Sequence, residues 1–226
     1  LGLIDLTDDC NLACPTCFAD SKGSAYLTMD QIKAALDGFI EQEGVGAVIQ
    51  FSGGEPTMHP QIVEAVKEAV DRPTEVVMIN TNGIKFAQDE DLIKRLVDVS
   101  ENKLEIYLQF DGFTDEVHQK IRGAKLADIK MKAIENMLKH GLPINLAAVI
   151  QRGVNEDQVG KIVEFGIETK GIRGVNFQPA FFAGRYDHDM NPMDRVTNTE
   201  IMDRLEKQTD GMFRKTDFMP LPCSHP

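Results

Sequence analysis

Residues 2–17 read GLIDLTDDCNLACPTC, and the fold hangs on how this stretch is read. Its first part, GLIDLT at 2–7, is a strand-like apolar run. The second part sets Cys10, Cys14 and Cys17 four and then three positions apart, on a loop that follows the strand. Thiolates are soft ligands that select zinc, copper(I) or iron–sulfur clusters. A closed zinc site takes four protein ligands, commonly as two close pairs. Here the second pair is missing, and Cys223 lies more than 200 positions from Cys17. A four-iron cubane on three cysteines instead leaves one iron without a protein ligand, and an open iron is a place for chemistry.

Outward from that loop, strand-like runs recur near 46–52 (GAVIQFS), 74–80 (TEVVMIN), 103–110 (KLEIYLQF), 143–150 (PINLAAVI) and 173–178 (RGVNFQ), with amphipathic helices near 29–43, 59–70, 88–98, 125–140 and 155–169. From Ala127 to Lys139, Ile129, Ala133, Ile134, Met137 and Leu138 recur at spacings of three and four, which predicts a core-facing stripe with Lys130, Lys132 and Glu135 elsewhere. The strands are mostly continuous apolar runs, as expected when helices cover one face and a packed interior the other. Repeated β-α units without a hairpin signal imply parallel strands and right-handed crossovers.

The unusual residues follow successive strand ends: the cysteine loop, SGGEPTMH (52–59), NTNG (80–83), QFDG (109–112), QRGVN (151–155) and QPAFFAGR (178–185). In a barrel such loops converge on one face, where sites are built. The expectation is an α/β fold, a partial (β/α)6 barrel of parallel strands with outer helices. It forms one domain over 1–226, with 180–226 an extension beyond the last strand.

Composition narrows the classes. The chain has 226 residues, 42% hydrophobic and 27% charged, enough for one substantial core. Its formal net charge of -12 argues against nonspecific attraction to nucleic acid or anionic lipid. No run of about 18 apolar residues suggests a membrane span. Neither a basic n-region nor a cleavage signature marks the amino end, so the expected compartment is the cytoplasm. Four cysteines, three of them close together, suit metal binding better than a disulfide framework. The opening on Leu1 and the terminal PLPCSHP suggest a piece of a longer protein.

In SGGEP, Gly53 and Gly54 allow close backbone approach to a ligand, and Glu55 offers a carboxylate and carbonyls to an ammonium group. With the cysteine loop one β-α unit earlier, the pattern resembles the radical S-adenosylmethionine (radical SAM) enzymes, whose fingerprint is CxxxCxxC after the first strand and a GGEP-type segment after the second. The resemblance implies that Cys10, Cys14 and Cys17 bind a [4Fe-4S] cluster and that the amino and carboxylate groups of SAM chelate the fourth iron. It further implies that a reductant splits SAM there, and that the 5'-deoxyadenosyl radical abstracts hydrogen from an unactivated carbon. One departure is Thr16, where the family usually has an aromatic residue near the adenine; Phe18 is the candidate substitute.

The same resemblance assigns cofactor contacts to Gly53, Gly54, Glu55, Pro56, Asn80, Asn82, Gln109, Asp111, Val149 and Gln151, although turn capping and core packing are competing readings for Asn80, Thr81, Asn82, Asn145, Val149 and Gln151. Gln109 and Asp111, spaced by two, point to one side of a strand and can act together. Arg122 and Arg185 read as surface charges or anion contacts. His118, His140 and His188 have no metal spacing and read as structural or solvated, and Phe181–Phe182 as core before substrate lid.

A narrower resemblance, to the tetraether lipid synthase-like radical SAM proteins, rests on CPTCFADS, GGEPTMHPQ, INTNGIKFA, YLQFDG, IRGVNFQPAFFAGR and FMPLPCSHP. It implies carbon–carbon coupling of lipid chains. It also makes Cys223 a candidate first ligand of an auxiliary iron–sulfur cluster, against a buried unligated cysteine. Other substrates of the superfamily, for a methyltransferase or a peptide- or cofactor-maturing enzyme, stay open, as does a noncatalytic iron–sulfur or zinc module. The implied partners are a small-molecule or lipid substrate and a low-potential donor such as ferredoxin or flavodoxin. Such chemistry is expected to be anaerobic.

Overall fold

The computed structural model describes residues 1–186, 191, 193 and 195–219. Six strands, β1 (Gly2–Thr7), β2 (Ala47–Gly53), β3 (Thr74–Thr81), β4 (Leu104–Gln109), β5 (Ile144–Ile150) and β6 (Ile172–Pro179), pair in chain order as one parallel sheet. This is the expected partial barrel. Around it lie α1 (Met29–Glu43), α2 (Ile62–Val70), α3 (Ile84–Gln88), α4 (Glu90–Val99), α5 (Asp115–Arg122), α6 (Ala127–Lys139), α7 (Val159–Glu168) and α8 (Asn198–Gln208).

Helix starts follow local chemistry. Thr28 and Thr197 form capping boxes with Gln31 and Glu200, and Thr114 accepts from the Val117 amide to open α5. At the far end of α5, Gly123 takes a left-handed conformation (φ 76°), where a side chain would be strained. Three helices, α3, α5 and α8, were not expected from periodicity; each is short or strongly polar, so its apolar stripe holds only a few residues.

Ile49, Phe51, Ile79, Ile106, Leu108 and Leu146 are fully buried in one core with the helices. The alternate residues point into the concave side, and that side departs from expectation. It is not a packed apolar interior but carries Gln50, Ser52, Asn80, Tyr107, Gln109 and Gln178, the last exposed. The physical reason is that β1 and β6 do not pair. The arc stays open, and its inner wall faces a groove rather than further layers of side chains. What joins the two edges is a pair of backbone hydrogen bonds, from Cys17 N to Arg185 O (2.7 Å) and from Arg185 N to Cys17 O (2.9 Å).

One helix face also differs. Lys130 is not on the outer side of α6 but wholly buried, in register with Ala133, Ile134 and Met137. It belongs to the same 3.6-residue stripe. Burial is tolerated because its ammonium donates to the Asn82 carbonyl.

Candidate active site at the carboxyl ends of the strands

The cysteine loop is held from several directions. Asp8 folds the returning chain back on it, with its carboxylate accepting from Ala25 N (2.7 Å) and its carbonyl from Gly23 N (3.2 Å). Arg185 clamps the other end, donating from Nε to the Cys14 carbonyl (2.8 Å) and pairing with Asp20 (3.3 Å). Gly184 is required at that crossing. Its φ is 68°, and an added Cβ would lie 2.4 Å from Phe18 O and 2.5 Å from Cys17 O. Arg185 is therefore a clasp on the loop, not a surface charge.

Cys10, Cys14 and Cys17 line a single cavity, together with Gly53, Gly54, Asn80, Asn82, Gln109 and Val149. Its empty space, counted out to the mouth, is about 1060 Å³. The Cys10 thiol is pushed up to about 11, chiefly by burial, and that of Cys14 is raised by burial and partly drawn back by the Arg122 charge. Among the described residues no three His, Cys, Asp or Glu side chains come close enough to share one metal ion. Three cysteines that line one cavity without converging on a single ion suit a body of several metal atoms, so the donor set fits a [4Fe-4S] cluster.

Gly53 and Gly54, which line the cavity, also have a structural role, and Glu55 lies off the lining. A Cβ on Gly53 would sit 2.2 Å from Thr7 O, and one on Gly54 2.1 Å from Asp9 O. Their bareness lets β2 dock on the cysteine loop, with Gly54 N donating to Thr7 O (2.7 Å) and Glu55 N to Asp9 O (2.8 Å). Glu55 is 1% exposed. Its carboxylate accepts from Thr57 N (3.2 Å), Thr57 Oγ1 (2.6 Å), Thr81 Oγ1 (2.7 Å) and Asn82 N (2.7 Å). Glu55 does not line the cavity, and its carboxylate is turned to these donors rather than to the site where an ammonium group was expected to meet it. Pro56 opens a 3-10 turn and is buried outside the cavity lining.

Asp111 is the second correction. It was expected to act beside Gln109 as a cofactor contact, yet the strand ends at Gln109 and Asp111 turns inward, fully buried. Its Oδ2 accepts from Arg122 Nε (2.6 Å), and its Oδ1 from Arg122 Nη2 (2.8 Å) and Val149 N (2.9 Å). Burial acts to raise its pKa, but the Arg122 charge and these hydrogen bonds hold the carboxyl below its ordinary range. Arg122, read as a surface charge or an anion contact, takes the second role against Asp111; it is 8% exposed and lines the cavity beside Cys14. Lys130 is pushed down to about 7, first by burial and then by Arg122.

Of the remaining expected residues, Asn82 donates to Asn11 Oδ1 (2.7 Å), while Asn80 has a buried Oδ1 without a partner among the described residues. Gln151 lies off the cavity; its amide donates to Asn155 Oδ1 (2.9 Å). Asn145 donates to Glu105 (2.7 Å) lower in the groove. His118 is buried, bonded through Nε2 to Gly112 O (3.0 Å), and His140 meets Glu90 (3.0 Å). Phe181 is not core but 69% exposed at the cavity mouth, where Phe18 is 70% exposed. His188 and Cys223 lie outside the described residues.

Tyr107 and Gln178 were missed; Gln178 donates to the Tyr107 hydroxyl (3.0 Å) across the groove. Their signal was alternation, since Tyr107 precedes Gln109 by two. Lys130 was legible from its spacing to Ala133, Ile134 and Met137. Arg122 was legible from the Thr114 cap and Gly123 stop that bound α5, but its partner was not.

Comparison with known proteins agrees with this geometry. The family described as the Radical SAM superfamily matches residues 4–166. The chain is 36% identical to the 7,8-dihydro-6-hydroxymethylpterin dimethyltransferase of Methanocaldococcus jannaschii, over all of this chain and 45% of that protein. It is 27% identical to a probable GTP 3',8-cyclase of Thermococcus kodakarensis, over 96% of this chain and 71% of that protein. It thus spans about half the length of the first of these relatives. Among solved structures, Streptococcus suis SuiB bound to S-adenosylmethionine superposes with a TM-score of 0.67 at 19% identity, over 92% of this chain and 46% of that one, a likeness of fold. With a family match that spans most of the chain and runs through the cysteine loop and its docking glycines, this protein belongs to the radical SAM superfamily.

Proposed function

We propose that the chain is the core of an enzyme that reductively cleaves SAM and uses the 5'-deoxyadenosyl radical to abstract hydrogen from a carbon of a second substrate. The observation that carries this reading is the convergence of Cys10, Cys14 and Cys17 on the cavity that Asn80, Asn82, Gln109 and Val149 also line. When bound by the cysteines, the [4Fe-4S] cluster supplies the electron for that cleavage. Asn80 and Asn82 offer amides to the methionine end of SAM, Gln109 to its ribose, and Val149 an apolar contact to its adenine. Glu55 acts through Asn82 and Thr81, holding the β3 end against the cysteine loop. The groove walls keep a reactive species away from water, which is the main task of the protein in such chemistry. A ferredoxin or flavodoxin is the proposed donor.

For the substrate, the relative from Methanocaldococcus jannaschii supports methylation of a pterin-type ring, and the polar concave wall formed by Tyr107, Gln109 and Gln178 suits such a molecule. The second reading, coupling of lipid chains, is favoured by the exposed aromatic rim of Phe18 and Phe181. Among the described residues no helix is long and apolar enough to cross a membrane. Cys223 stays a proposed auxiliary-cluster ligand by resemblance.

The test is anaerobic reconstitution with iron and sulfide. The expected result is a brown protein with about four irons per chain that releases 5'-deoxyadenosine from SAM under dithionite. A colourless protein with one zinc and no SAM cleavage would falsify the reading. Deuterium transfer into deoxyadenosine from a labelled dihydropterin or from a labelled dialkylglycerol lipid then separates the two substrates.

A further inference from the structure

We infer that the Asp111–Arg122 pair is an electrostatic device, in which Asp111 holds the Arg122 guanidinium beside Cys14 and partly neutralises it, and the charge that remains stabilises the reduced form of the cluster held there. This rests on the cluster assignment made above.

The geometry is specific. Two parallel hydrogen bonds of 2.6 and 2.8 Å lock the guanidinium plane on a carboxylate that is itself pinned by Val149 N at 2.9 Å. The Asp111 backbone is fixed as well, its carbonyl accepting from Asn155 Nδ2 (2.8 Å). Arg122 ends α5, and the next residue touches the cysteine loop: a Cβ on Gly123 would lie 3.2 Å from Pro15 Cδ and 3.3 Å from Ala13 O. Arg122 thus shares a cavity wall with Cys14, while Asp111 sits behind it, wholly buried.

Stability alone is a poor reason for such a pair, because desolvating two charges offsets most of their attraction and an apolar pair of similar volume often does as well. A role toward the cysteines is a better one. Three thiolates and an added electron make a buried anion, and its reduced state is favoured by a cation in the same low-dielectric region. Charge and hydrogen bonds near the sulfurs are known levers on cluster potentials. Other charges face the same region: Arg185 also lines the cavity and donates to the Cys14 carbonyl (2.8 Å), where it is neutralised in part by Asp20, while Lys130, Glu55 and His118, the last 3.9 Å from Asp111, do not line it.

The sign of the effect separates this role from a merely structural one. Loss of the Arg122 charge disfavours the reduced form, so Arg122→Met should make the midpoint potential more negative. Asp111→Asn keeps an oxygen acceptor for the guanidinium but removes the neutralising charge, so it should make the midpoint more positive. Arg122→Lys, which keeps the charge, should stay near wild type. The experiment is a redox titration of the reconstituted full chain, followed by electron paramagnetic resonance, with iron counted in each sample.

Opposite shifts for Met and Asn support the inference. An unmoved Arg122→Met midpoint at full iron, or shifts of both variants in one direction, overturns it. If Arg122→Met takes up no iron, Asp111→Asn carries the comparison, and an unmoved midpoint there overturns the inference. A wild-type protein that binds no four-iron cluster overturns the functional reading and this inference together. A wild-type cluster with potentials indifferent to these variants overturns the inference alone.

Discussion

The two faces of the sheet divide the work. On the convex face, Ile49, Phe51, Ile79 and Ile106 are fully buried against the helices. On the concave face, one residue along from such positions, Asn80, Tyr107 and Gln178 line an open groove. Register keeps the two sets apart, because parallel partners face the same way: Phe51 pairs with Ile79 and Ile79 with Ile106, whereas Asn80 pairs with Tyr107 and Val149 with Gln178. A side chain on one face therefore changes stability, and its immediate neighbour changes chemistry. The cysteine loop belongs to the second set, although it is anchored by the backbone of the first.

That division can be broken in graded ways. Cys14→Ala should remove function outright, taking iron from about four per chain to none and deoxyadenosine formation to background, while far-ultraviolet circular dichroism stays that of a folded protein. On the opposite face Phe51→Ala should cost about 3–5 kcal/mol in urea denaturation, with iron uptake preserved at low temperature. If it abolished iron uptake in folded protein, the separation of faces would fail.

The intermediate cases probe groups that tie the faces together. His118 is pushed down from 6.5 to about 4, chiefly by burial, so it is neutral when folded. Between those values the unfolded chain binds the extra proton. Stability is then full above pH 6.5 and lost as pH falls toward 4, by roughly 3 kcal/mol. Denaturation midpoints against pH should show this slope, and His118→Gln should flatten it. Glu55→Ala should cost about 1–3 kcal/mol, since it leaves the Thr57 and Asn82 amides unmet. It should also weaken SAM binding through Asn82 while iron remains; equal SAM affinity by calorimetry would remove Glu55 from the site. Gln178→Leu, on the open concave wall, should change stability by no more than about 0.5 kcal/mol, and its effect should appear in turnover of the second substrate.

Legibility followed the range of the interaction. The strands and five helices were readable because hydrophobic period is a local property, and the cysteines because their spacing is local too. Lys130 was placed on the wrong side because charge outweighed spacing in the reading, while its acceptor, the Asn82 carbonyl, lies 48 positions away. For Arg122 and Arg185 the choice between surface charge and anion contact stayed open, because their partners, Asp111 on another loop and the Cys14 carbonyl 171 positions away, carry no sequence signal. Glu55 and Asp111 were seen as polar groups at strand ends, yet the direction in which they turn depends on donors from β3, β5 and α5.

By itself the sequence determined that parallel β-α units would carry three thiolates after the first strand, since alternation, helical period and ligand softness are properties of short segments. Only the tertiary structure decided that the arc would be clasped by Cys17 and Arg185 rather than closed by strand pairing. It also decided that the two glycines would dock β2 on the cysteine loop, and that a buried carboxylate would hold a guanidinium in the cavity lining beside Cys14. Those outcomes depend on desolvation and on contacts between distant segments, which exist only once the chain has folded.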